Sequence, residues 1–118
     1  MGSHQLKLSD LDKIKKISLK NPIESCGLVC SEGVYELKNT AINPCCFFEV
    51  DPQEYFDIFI SKKVLFFWHS HVFGSEKPSD CDVAASKEVN LPSLIYSSIN
   101  NKFCFFNAEL IKPVYFCI

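Results

Sequence analysis

Val64-Leu65-Phe66-Phe67-Trp68-His69-Ser70-His71, followed by Val72 to Pro78 and then Ser79-Asp80-Cys81-Asp82, is the stretch on which the fold turns. Its first five residues are apolar, aromatic or β-branched, the composition of a buried strand, and the histidines sit at that strand's end. Side chains two apart on a strand share a face. His69 and His71 therefore converge while Ser70 points away. A helical pair of histidines would need the i, i+4 spacing of H-E-x-x-H enzymes. Gly74 and Pro78 mark the next segment as loop, and Ser79-Asp80-Cys81-Asp82 opens a helix running to about Val89. The loop is long enough to bring Asp82, in that helix's first turn, back onto the strand end.

Outward from this segment the pattern is α/β. Ser9 is read as the cap of a helix over about 10–20, with Leu11, Ile14 and Ile17 on one face. Strands are expected near 26–31 and 34–38, joined by a turn at Ser31-Glu32-Gly33. Asp51-Pro52 with Glu54 predicts a helix start (cap, proline at the first helical position, acidic first turn) and a helix to about Ser61. Strands near 93–98 and 102–107 flank Asn100-Asn101, and a last one falls near 114–117. Together these predict a single domain with a curved mixed β-sheet flanked by helices. Residues 5–118 make up that domain. Met1-Gly2-Ser3-His4 reads as a vector-derived remnant, so His4 is discounted as a ligand.

With 118 residues, 47% of them apolar and eleven of them Phe, the chain can bury one aromatic-heavy core and has no room for two. A net charge of −2 without a basic stripe argues against nucleic acid as a partner. The apolar runs Val64–Trp68 and Val114–Ile118 are far too short to span a bilayer. An exposed carboxyl end at 114–118 would imply a homodimer contact or another partner; a buried one would be a closing strand.

Two imidazoles and one carboxylate are what a catalytic zinc site uses when its fourth position stays open for water. The H-x-H, seven-residue gap, S-x-x-D pattern should arise by chance on the order of once in a few thousand chains of this length. Ser79 with Asp82 also fits a helix-capping box, which needs no metal. Glu24, in Pro22-Ile23-Glu24-Ser25-Cys26-Gly27-Leu28-Val29-Cys30, precedes a short apolar strand and is a candidate base. Its plainer reading is a solvated loop charge.

The seven cysteines (26, 30, 45, 46, 81, 104 and 117) are an odd count. With no signal peptide, this reads as reduced thiols in a cytoplasmic setting. A structural zinc knot would need paired C-x-x-C units, and only Cys26-x-x-x-Cys30 comes near. A cysteine peptidase needs a converging histidine, and His69 and His71 are already committed to each other. Pro44-Cys45-Cys46-Phe47-Phe48 fails the P-C-x-x-C test of nucleobase deaminases.

Glu24, His69-Ser70-His71, Ser79 and Asp82 together resemble the JAMM (MPN+, JAB1/MPN) motif of zinc metallopeptidases. Glu24–Val29, Phe48–Tyr55 and Leu91–Ser97 resemble the bacteriophage tail assembly protein K branch of that family. Val72 stands where many members have proline. The resemblance implies the JAB1/MPN fold, a layout like that of cytidine deaminases, and one zinc ion per chain bound by His69, His71 and Asp82. It implies Glu24 as general acid/base and Ser79 as a stabiliser of the tetrahedral intermediate. The expected substrate is a peptide or protein amide: the tail of a ubiquitin-like protein, a phage tail precursor, or a cell-wall cross-link. A phage-encoded enzyme would act in host cytoplasm or virion. Two other classes fit the same residues: a non-catalytic scaffold of this fold, and a zinc amidohydrolase or deconjugase acting on a small substrate.

Overall fold

A computed structural model of the protein describes residues 6–41, 49–107 and 113–118. Among these, six strands form one sheet: β1 (Cys26–Cys30), β2 (Gly33–Leu37), β3 (Val64–His71), β4 (Ser93–Ser97), β5 (Lys102–Phe106) and β6 (Val114–Phe116). Their order is β2-β1-β3-β4-β5-β6. β3 and β4 run parallel and the other neighbours antiparallel. A parallel pair needs a crossover element, and α3 (Asp80–Val89) supplies it.

One face of the sheet is covered by α1 (Leu8–Lys20), whose Leu11 and Ile14 pack on Val29, Phe66, Trp68 and Tyr96. On the other face Cys26, Leu28, Leu37 and Phe67 pack against Tyr55 and Ile58 of α2 (Pro52–Ser61) and Ala85 of α3. This is the mixed α/β sheet flanked by helices that the sequence predicts. The alternation within β3 decides the rest. Phe66, Trp68 and Ser70 face α1, and Phe67, His69 and His71 face α2 and α3.

Local signals explain most element ends. The Asp51 carboxylate accepts the Gln53 N–H, with Pro52 opening α2. Asn90 ends α3 in the left-handed region, and Asn101 turns β4 into β5 with φ 53°. Gly33, at φ +143°, begins β2 after the Ser31-Glu32 turn. Ser9 is not a cap. The Lys7 carbonyl already accepts the Leu11 N–H, so α1 starts at Leu8 and Ser9 lies inside its first turn.

Gly27 answers to packing. A Cβ there would strike the Tyr35 carbonyl and come within 2.7 Å of Trp68 Nε1. β6 closes the sheet, with Phe116 stacked on Phe103 at 5.2 Å, yet Val114 and Tyr115 stay about half-exposed. The carboxyl end is thus both a paired strand and an apolar edge.

Cys26, Cys30 and Cys104 are buried and Cys81 and Cys117 exposed, all as free thiols. Cys45, Cys46, Phe48 and residues 1–4 lie outside the described residues. No helix among the described residues is long and apolar enough to cross a membrane.

Candidate metal centre

The pairing of β1 with β3 sets the site. Cys26 lies opposite His69 in the antiparallel register. The pairing continues one step before β1, where the Ser25 N–H donates to Ser70 Oγ and the Ser70 N–H to the Ser25 carbonyl, each at 2.8 Å. Glu24 is next and falls opposite His71. Cross-strand partners share a face, so the Glu24 carboxyl is on the histidine side. Glu24 is 7% exposed. The serine between the histidines thus fixes the segment that carries the glutamate.

From the other side, Gly74 and Ser75 of the intervening loop are held in place. Ser97 Oγ donates to the Gly74 carbonyl at 2.7 Å, and His71 Nδ1 lies 2.6 Å from the Ser75 carbonyl. A carbonyl oxygen only accepts, so Nδ1 carries a proton and Nε2 is directed to the centre of the site. Such a backbone partner is what orients a metal-ligating histidine.

Four polar atoms converge there. His69 Nε2 and His71 Nε2 are 3.2 Å apart. Asp82 Oδ1 is 3.0 Å from His69 Nε2, and Oδ2 is 3.1 Å from His71 Nε2. The three groups form a potential metal-holding cluster, with donor atoms within 4.8 Å of one another. Two nitrogens each about 2.05 Å from a tetrahedral zinc would be about 3.3 Å apart. The donor set fits such an ion with little adjustment. Without a cation, the lone pairs of these atoms repel unless a proton sits among them.

The titration behaviour fits a cluster built for positive charge. Burial of Asp82 pushes its carboxyl up, but hydrogen bonds from His69 and His71 prevail and hold it well below the usual carboxylate range. Burial lowers His69. Burial also opposes charge on His71, yet the Asp82 hydrogen bond and the Ser75 carbonyl raise it overall. In the metal-free cluster these effects favour a proton on His71 over one on His69, and a cation would compete with it. Burial, with the His71 charge opposing and the Asp82 charge adding, pushes Glu24 up to about 7.

Ser79 caps α3. Its Oγ accepts the Asp82 N–H at 3.1 Å, and its own N–H donates to Asp82 Oδ2 at 2.8 Å. The capping box and the candidate ligand cluster thus share Asp82: the cap fixes its carboxylate against the histidines. All five predicted site residues come to one end of β3. The Ser75 carbonyl and the Ser25–Ser70 pair had no side-chain signature by which to be found.

No protein-family model and no curated protein matches the chain. Its fold is similar to the solution structure of protein DSY2949 from Desulfitobacterium hafniense, a structural genomics target. The likeness covers 92% of this chain and 87% of that one at a TM-score of 0.71, with 22% of residues identical.

Proposed function

We propose that the protein is a zinc-dependent amide hydrolase, a peptidase or isopeptidase of the JAMM type with a peptide or protein substrate. The convergence of His69 Nε2, His71 Nε2 and the Asp82 carboxylate carries this reading, with His71 Nδ1 turned to a backbone carbonyl. Those three groups hold one zinc ion. The chemistry zinc supplies when bound is acidification of water and polarisation of a carbonyl.

The protein's own residues do the rest. Glu24 takes a proton from the attacking water at its carboxylate and passes it to the leaving amine. Its raised value, about 7, suits a group that must both accept and return a proton near neutrality. Ser79 Oγ uses a lone pair for the α3 cap, which leaves its O–H as a donor to the developing oxyanion. The buried wall around His69 limits competing water.

Metal analysis tests the reading directly. About one zinc per chain is expected in the wild type and in Glu24→Ala, and none in His71→Ala. Turnover of an amide substrate should fail in both variants. A wild type that takes up no zinc after reconstitution would sink it.

A further inference from the structure

Between the sheet and the helices α2 and α3 lies a cavity of about 630 Å³, lined in part by Cys26, the strand partner of His69. Its floor is Leu28, Leu37 and Phe67, and Tyr55 and Ala85 form its walls. Cavities of this size hold small ligands or a few side chains. Two carboxylates, Glu49 and Glu88, stand in its lining. Both residues are exposed, and neither forms an ion pair among the described residues. An apolar floor beneath unpaired acids suits an apolar group that carries positive charge beside it.

The cavity shares its elements with the metal centre. Phe67 precedes His69 by two residues on the same face of β3, and Ala85 follows Asp82 by one turn of α3. Two residues of strand span about 6.6 Å, and an extended substrate covers that distance in two residues as well. We infer that this cavity is a specificity subsite. It takes a bulky apolar side chain within about two residues of the scissile amide, while Glu49 and Glu88 hold a lysine or arginine adjacent to it. The identification of a scissile amide rests on the hydrolase reading above; the recognition of a basic–aromatic segment does not.

The test therefore uses EDTA-treated protein, with no metal or turnover required. ¹⁵N-labelled protein is titrated with the blocked peptide acetyl-Gly-Lys-Phe-Gly-amide and with counterparts carrying Ser for Phe or Glu for Lys. The Lys-Phe peptide should shift the amides of Leu28, Phe67 and Ala85. It should bind about tenfold more tightly than either counterpart. Glu49→Gln with Glu88→Gln, both on the surface, should erase the preference for Lys over Glu and keep that for Phe over Ser. Ala85→Trp, which fills the cavity, should abolish binding while amide dispersion reports an intact fold.

Equal affinity for the Phe and Ser peptides, shifts confined to other surfaces, or no shifts at millimolar peptide would each overturn the subsite. A protein that binds zinc without discriminating the peptides keeps the hydrolase reading and loses this one. One that discriminates them but binds no zinc does the reverse.

Discussion

At the scale of single residues, the proposed mechanism gives Glu24 and Ser79 two roles each, which substitutions can separate. The Glu24 carboxyl titrates at about 7 in the folded protein, against 4.5 for an exposed glutamate. The folded state thus binds this proton more tightly than the unfolded chain. The stability it contributes is complete below pH 4.5 and is lost as pH rises through 7. In EDTA, Glu24→Gln should match the wild type in urea unfolding at pH 4 to within a few tenths of a kcal/mol, and exceed it by about 3 kcal/mol at pH 8. An identical pH profile for the two would show that Glu24 is solvated. For Ser79 the comparison is Ala against Gly. Both lose the hydroxyl and should lower turnover of a cleavable amide by the same factor, on the order of 100-fold. Only Ala should cost about 1 kcal/mol of stability, since glycine is a tolerable N-cap. Turnover that tracked stability across the pair would reduce Ser79 to a cap.

At the scale of elements, the close approach of β1, β2 and the Trp68 indole depends on one missing methyl. Gly27→Ala should cost about 3 kcal/mol, the upper end for overpacking, because the Tyr35 carbonyl is backbone and Trp68 is wholly buried. Gly74→Ala is the control, since its Cβ would meet only His71 atoms at 3.9 Å, an ordinary contact. Thermal unfolding of both variants measures the contrast, and equal loss in the two would rule out the steric account. Elements with a strong local signature were legible in the sequence: Asp51-Pro52 for α2, Ser79 with Asp82 for α3, and the apolar run of β3. Ser9 misled because a serine in the first turn and a serine at the cap look alike until the chain entering α1 is fixed by Lys7.

At the scale of the whole molecule, legibility stopped at pairing. Nothing local to Val64–His71 or Ser93–Ser97 declares that these strands run parallel, because that follows from where α3 deposits the chain. The candidate site was more legible than the topology, since period-two geometry brings His69 and His71 together whatever the strand order. Beyond the resemblance, what puts Glu24 beside them is the β1–β3 register, a long-range fact. The cavity with its two acids draws on β1, β2, β3, α2 and α3, so no window of sequence contains it.

The three proposed ligands belong to parts of unequal rigidity. His69 and His71 are on a strand hydrogen-bonded on both sides, whereas the only fully buried residues of α3 are Asp82 and Ser86, both polar. A helix with so little apolar anchorage opens at far lower free energy than the sheet. The residence time of a bound ion would then follow fraying of α3 and not global unfolding. Zinc transfer to a competing chelator should outpace unfolding by orders of magnitude, with a rate nearly indifferent to mild urea. A transfer rate equal to the unfolding rate would mean that α3 and the sheet open as one unit.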